Sequence, residues 1–507
     1  MQPMSAKKVI VIGAGFSGLS AACCLAQKGF DVTVLEKKNE TGGRGRKADV
    51  EGFMFDMGPS WYWMPEVFEK FFNRFGKSAA DYYSLKRLSP SYRVFFKEAS
   101  PLTPLRGKGE QSAIMDVPAE KEKLFALFES LENGSSKKLE QFLDEAAYKY
   151  DKGVNEFVYK PSLSLLEFAD VSLLVSLFRL NMFSSFSKYI RKYFSHPKLL
   201  QLLEFPVLFL GAKPENTPAL YSMMNYADMV LGTWYPDGGM YKIAEAMTKL
   251  AEELGVKVLT GENVEKINVE NGKIKSVISN GKELFANIII SGADYNFTEQ
   301  KLLEEQYRTY SADYWENRTM SPSALVFYLG VNNKADNLLH HNLFFDADFS
   351  VHASEIYDKK EWPSHPLFYL CCPSKTDAAV APEGMENLFI LIPVAVGLDD
   401  NEATREKYFE MVINRIEKRT GQNIREHIVY KKTYAHRDFI SDYNSYKGNA
   451  YGLANTLMQT AVLKPRIKSR KVKNLYFTGQ LTVPGPGVPP SIISGQVVAA
   501  LVEKELR

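Results

Sequence analysis

Residues 9–18 read Val9-Ile10-Val11-Ile12-Gly13-Ala14-Gly15-Phe16-Ser17-Gly18. Four unbroken apolar residues suit a strand buried on both faces. The Gly-x-Gly-x-x-Gly that follows opens a helical stretch to Lys28, and Gly29 stops it. Val32-Thr33-Val34-Leu35 then forms a second strand ending in Glu36, eighteen residues after Gly18. A glycine loop alone occurs by chance, but strand, loop, helix, strand and acid in this order form a dinucleotide-binding unit. Gly13 makes the tight turn, Gly15 lets a pyrophosphate approach the backbone, and Gly18 lets helix and strand pack closely. The helix N-terminus faces the phosphates with free N–H groups, and Glu36 is placed to accept hydrogen bonds from ribose hydroxyls.

With 507 residues the chain is long enough for two or more domains. It is 45% hydrophobic and 24% charged, which excludes a disordered or collagen-like chain. Sixty-two Lys and Arg against sixty Asp and Glu leave a formal net charge of +2, so charge gives no reason to expect a nucleic-acid partner. The four cysteines form two adjacent pairs, Cys23-Cys24 and Cys371-Cys372. Disulfide frameworks space their cysteines apart, so this pattern reads as reduced and intracellular. No metal site is expected, and His340-His341 reads as a surface pair. No signal peptide is visible. The most apolar stretch, 163–178, is interrupted by Glu167 and Asp170 and is too short to span a bilayer.

Two further α/β pieces accompany the first. One runs from Gly238-Gly239-Met240 through a helix at 243–254 and an Asn271-Gly272 hairpin to a buried strand at 284–290. The other closes the chain, with strand Leu475-Tyr476-Phe477-Thr478, a Gly/Pro-rich turn and a helix over 492–501. The expected fold class is α/β: a Rossmann-like nucleotide-binding domain assembled from 1–75, 234–295 and 441–507. An α+β substrate domain takes 76–233 and 296–440, with a helical, apolar, membrane-associated part at about 120–233.

Six residues after Glu36 comes Gly42-Gly43-Arg44, where a glycine pair admits a bulky ligand and an arginine offsets phosphate charge. An extended FAD needs this; a nicotinamide fold does not. Other motifs are Phe55-Asp56-Met57-Gly58-Pro59-Ser60, Tyr235-Pro236-Asp237-Gly238-Gly239-Met240, and the closing Asn474-Leu475-Tyr476-Phe477-Thr478-Gly479 through Pro484-Gly485-Pro486-Gly487-Val488-Pro489-Pro490-Ser491. With them the chain resembles the FAD-dependent amine oxidase and carotenoid desaturase superfamily, and within it the bacterial and fungal type of phytoene desaturase. The resemblance implies that Gly13, Ala14, Gly15, Phe16, Ser17, Gly18, Glu36 and Lys37 hold the ADP half of FAD. It places Val264 at the adenine, and Gly43, Arg44, Gly58, Pro59 and Ser60 beside the ribityl and flavin. Gly479, Val488, Pro489, Pro490, Ser491 and Ile492 would hold the isoalloxazine. Proline favours the first turn of a helix, whose positive end would face the flavin edge that gains charge on reduction. The family often carries alanine and histidine where this chain has Gln480 and Val483, so no catalytic histidine is assigned there.

The implied reaction is FAD-dependent desaturation of a C40 carotenoid, phytoene toward lycopene, by hydride transfer to flavin N5 and loss of a neighbouring proton. A related isomerase, saturase or later-step desaturase would share these motifs. A non-catalytic carrier of prenylated proteins on the same fold is the alternative from another class, and Glu36, Arg44 and the C-terminal turn argue against it. No catalytic acid/base arrangement emerges. At roughly 0.8 kcal/mol per CH₂, such a hydrocarbon must arrive from lipid. The expectation is therefore a cytoplasmic protein held peripherally at the inner face of a membrane. Trp61-Tyr62-Trp63-Met64 either lines a tunnel or packs a helix start. Residues 183–194 mix aromatic and basic side chains, and read either as a helix on an anionic bilayer or as one facing the core. The six basic residues of 464–473 read as a solvated loop in preference to a membrane or polyanion contact. The abundance of Phe and Tyr fits either a long apolar ligand or an aromatic core.

Overall fold

The computed structural model describes residues 7–98, 113–164, 167, 184–208, 211–456 and 458–506. A five-stranded parallel sheet runs in the order Leu475–Phe477, Ile288–Ser291, Lys8–Ile12, Asp31–Glu36, Lys257–Thr260. It thus draws on the beginning, the middle and the end of the chain. The continuous apolar runs that mark these strands arise because both faces are covered. The helix Phe16–Gln27 packs on one side with Cys23 and Cys24 fully inside, and the C-terminal helix Val488–Leu506 packs against it. Ser20 Oγ donates to Ile492 O at 2.7 Å across that junction.

A seven-stranded mixed sheet forms the second layer. Its order is Ile428–Tyr434, Ser323–Val331, Glu386–Val394, Phe368–Cys371, His341–Phe345, Tyr92–Phe96, Ile114–Val117. The helix Glu402–Thr420 covers one face through Tyr408, Phe409, Val412, Ile413 and Ile416. Asn401 caps that helix by accepting from Thr404 N at 2.9 Å, and Gly421 ends it with φ 69°. A three-stranded antiparallel sheet, Val264–Glu270, Lys273–Ser279 and Lys282–Phe285, packs against the parallel sheet through Val264, Ile267, Ile274 and Val277 and is turned by Asn271-Gly272 as the sequence predicts.

Several expectations need correction. The single strand predicted over 284–290 is two strands in different sheets, Lys282–Phe285 and Ile288–Ser291. Asn287 breaks the run because its Oδ1 accepts from Lys8 N at 2.8 Å while its own N–H donates to Lys8 O at 2.9 Å. The first insertion needs no such change: strands Leu85–Arg87, Tyr92–Phe96 and Ile114–Val117 precede the helix Lys121–Leu131, in keeping with an α+β segment whose helical part is expected from about 120. The C-terminal helix starts earlier and ends later than predicted, at Val488 and Leu506.

In the aromatic-basic segment Phe186, Tyr189, Ile190 and Phe194 are buried. The hydroxyls of Tyr189 and Tyr193 both donate to Glu145, and Arg191 pairs with Glu204 at 2.6 Å. These rings face protein, so the bilayer-lying reading of this segment gives way to core packing. Phe183 and nearly all of the apolar stretch 163–178 lie outside the described residues. Among the described residues no helix is long and apolar enough to cross a membrane.

Candidate functional site

The loop after the first strand has the geometry its glycines require. Gly13 takes φ 94°, and its N–H donates to Leu35 O at 2.8 Å. A Cβ on Gly18 would lie 2.0 Å from Gly13 O, so only glycine permits this helix start. Above Gly15 there is open space: nothing lies within 4 Å of a Cβ built there. Ser17 is buried beneath the loop. Glu36, also buried, accepts from Ala14 N at 2.8 Å through Oε2 and from Lys38 N at 2.9 Å through Oε1. The acid therefore fixes the loop. Lys37 turns away, and its ammonium donates to Ser441 O at 2.8 Å. Val264, buried at the start of its strand, lies just beyond the turn where Glu262 N donates to Glu36 O.

Gly43, with φ 56°, packs against the loop; a Cβ there would sit 3.2 Å from Gly15 Cα. Arg44 follows and is partly buried. Its guanidinium donates to Ser445 Oγ and, at 3.4 Å, to Asn449 O, and it lies 5.0 Å above the Tyr443 ring. Burial lowers its pKa, an effect opposed by the charge of Asp294. Arg44 Nε is buried without a hydrogen-bond partner. Gly58 lies against the Arg44 carbonyl, with room for no side chain: its Cβ would come within 2.4 Å.

Past Arg44 the loop opens into a cavity of about 600 Å³, within the usual range for ligand pockets. Phe16, Arg44, Gly58, Pro59 and Ser60 form part of its wall, and Val488, Pro489, Pro490 and Ser491 another part. The first turn of the C-terminal helix thus points its positive end into the cavity. Gly479, at φ 104°, lies behind that turn, its N–H donating to Ser494 Oγ at 3.0 Å. Ile492 is fully buried behind it. The sequence-predicted residues therefore divide in two: a glycine cradle with Glu36, and the near wall of one cavity.

The rest of the wall is mostly apolar and aromatic, including Trp61, Trp63, Met64, Phe205, Phe345 and Leu391. Tyr62 is absent from it, being buried with its hydroxyl on that of Tyr83 at 2.9 Å. His352 lines the cavity but is occupied at both nitrogens. Nδ1 accepts from Leu367 N at 2.8 Å and Nε2 faces Pro393 O at 2.9 Å, while burial pushes its pKa down to about 4. This imidazole is fixed and neutral, unsuited to proton transfer.

Sequence reasoning missed Tyr443, Ser445 and Asn449, which hold Arg44, and Gln480, which lines the cavity and donates to Asn449 Oδ1 at 3.1 Å. The first three belong to no local motif and are identified only by what they touch; Gln480 lies inside the closing motif, where the sequence marks it only as a departure from the family's alanine. The solvated-loop reading of 464–473 fails at its first residue. Lys464 is buried, and both its Nζ and Asn455 Oδ1 lack partners. A Cβ on Gly485 would meet Asn455 Oδ1 at 3.2 Å and Lys464 Nζ at 3.3 Å, so both converge on the Gly/Pro-rich turn.

These features fit FAD. Open space above Gly15 with the partly buried guanidinium of Arg44 nearby suits an anionic pyrophosphate, and the adjoining, mostly apolar chamber suits a flat ring. The chain matches the family described as flavin containing amine oxidoreductase over residues 16–502. A carotenoid 3,4-desaturase of Haloarcula japonica is 42% identical over 505 residues, covering 99% of each chain. A zeta-carotene-forming phytoene desaturase of Myxococcus xanthus is 30% identical over 499 residues, covering 97% of this chain and 93% of that one. Among solved structures, an oxidoreductase from Methanosarcina mazei superposes with a TM-score of 0.61 at 19% identity, covering 98% of this chain and 100% of that one, which shows the shared fold.

Proposed function

The chain belongs to the flavin containing amine oxidoreductase family, among its FAD-dependent carotenoid desaturases, and from that membership we propose that it introduces a double bond into a C40 carotenoid held in the 600 Å³ cavity. It is an oxidoreductase and its cofactor is FAD. The observation that carries the proposal is the junction itself: the loop after Gly43, Arg44 and the first turn of the C-terminal helix open into one mostly apolar cavity. Bound FAD supplies the two-electron oxidation. The protein contributes alignment and a dry wall.

In this reading Gly13 to Gly18 and Glu36 hold the ADP half, with Val264 at the adenine. Lys37 serves the surrounding loop through Ser441. Gly43, Arg44 and Gly58 to Ser60 border the linker, and Gly479 with Val488 to Ile492 backs the ring. The division into a cofactor domain of three segments and a substrate domain of two is part of the same proposal. The Haloarcula relative, at 42% identity over the full length, favours a later step such as 3,4-desaturation. The Myxococcus relative keeps phytoene toward lycopene as the second reading.

Substrate arrives from lipid in this account. Thr460, Ala461 and Val462 line the cavity and are partly exposed. Beside them Met458 and Leu463 expose apolar side chains, Met458 to 74%. That rim is the surface we propose meets a membrane. The test is incubation of FAD-loaded protein with liposomes carrying either phytoene or a more unsaturated C40 carotenoid. A product absorbing at longer wavelength identifies the accepted substrate; no shift with any of them rejects the proposal.

A further inference from the structure

His340-His341 reads as a surface pair in the sequence, yet both residues are buried. His341 and Cys371 are register partners on adjacent antiparallel strands, so their side chains leave the same face of the sheet side by side. His340 turns to join them, its ring centroid 4.4 Å from that of His341. One ligand atom from each of His340, His341 and Cys371 lies within 4.8 Å of the other two.

Each imidazole is anchored at Nδ1: Thr376 Oγ1 holds His340 Nδ1 at 2.7 Å, while Tyr369 Oη holds His341 Nδ1 at 2.6 Å with Cys371 Sγ 3.7 Å from that same nitrogen. In each ring Nε2 is buried with no hydrogen-bond partner. Such an atom costs about 1–3 kcal/mol, and two of them on consecutive residues beside a buried thiol call for one explanation. An imidazole anchored at one nitrogen and bare at the other is the arrangement that outer-sphere partners impose on a metal-bound histidine. Next to the cluster lies a chamber of about 10 Å³ whose lining includes Asp56, Ser60, Tyr235, His340 and Cys371, room for one further small ligand.

We propose that His340, His341 and Cys371 bind one divalent cation of borderline softness, with Zn²⁺ the ion that best matches two imidazoles and a thiolate. Binding replaces the Cys371 thiol proton with the metal and releases that proton to solvent. The fourth coordination position faces the chamber. Trp61 stacks on His341 at 4.0 Å and 11° and also lines the large cavity, so the ion pins the cavity wall from behind. The role is structural and independent of FAD.

The test uses the full-length holoprotein expressed with ZnCl₂, dialysed against metal-free buffer and analysed by inductively coupled plasma mass spectrometry. The expected result is a single zinc per chain in the unaltered protein and roughly tenfold or greater loss in Cys371→Ser. Thr376→Ala, which touches only the anchored ring, should weaken zinc affinity about 10-fold. Loading with CoCl₂ should give a thiolate-to-metal charge-transfer band that Cys371→Ser abolishes. Flavin content, measured on the same samples, separates loss of the site from loss of the fold. Unaltered protein without zinc and without the cobalt–thiolate band overturns the proposal. So does zinc retained in full by a flavin-loaded Cys371→Ser.

Discussion

A Cβ on Gly495 would lie 2.3 Å from Ser17 O. The C-terminal helix and the N-terminal helix therefore meet backbone to backbone, and the two ends of the sequence form one structural unit. Any side chain at 495 must push the helices apart, and the first turn of the C-terminal helix moves with them. Gly495→Val should destabilise the protein by about 1–3 kcal/mol through overpacking, read by denaturant melts, and lower the flavin content of the purified protein. Unchanged stability and flavin content would contradict this contact.

Glu36 ties Ala14 N at 2.8 Å, and in the proposed function it also accepts from the ribose hydroxyls of FAD. Glu36→Arg removes the acceptor, frees a buried N–H and adds a cation. FAD affinity, measured by fluorescence titration, should fall at least about 100-fold, equivalent to about 2.7 kcal/mol. Retained affinity would remove Glu36 from the cofactor site.

Ala353 lines the large cavity away from the glycine cradle. Ala353→Phe narrows the cavity without touching the loop around Gly15. Desaturation of a C40 carotenoid should drop about tenfold or more, a barrier change of about 1.4 kcal/mol, while flavin occupancy stays the same. Full activity would place the substrate elsewhere.

Lys464 is buried with its ammonium unpartnered, and burial, helped by the charge of Arg318, pushes its pKa down from 10.5 to about 7. The unfolded chain binds this proton more tightly. The stability linked to Lys464 is therefore fully present above about pH 10.5 and is lost as pH falls through about 7. Apoprotein melting temperature should carry a rising contribution between these limits, and Lys464→Met should remove it. Identical pH profiles for the two proteins would contradict the burial.

What the sequence discloses here is what is encoded locally. The Gly13 to Gly18 loop, Glu36 and the Asn271-Gly272 turn each lie within one short window, and backbone sterics dictate their form. Gly495 against Ser17, and His341 opposite Cys371, depend on packing and register between distant segments, which no window contains. The strand predicted over 284–290 fails for the same reason: Lys8, far upstream, decides where Asn287 breaks it. The rings at 186–194 fit a bilayer or a core equally well by composition. Glu145 and the surrounding core decide between them.

A flavin seat that opens into a hydrocarbon-holding cavity is tested most directly by anaerobic single turnover. FAD-loaded protein mixed with carotenoid-bearing liposomes in the absence of oxygen should show bleaching of the oxidised flavin together with a red shift of the polyene, one reduced flavin for each double bond formed. Flavin that stays oxidised while the polyene is unchanged, for every C40 carotenoid offered, would contradict it.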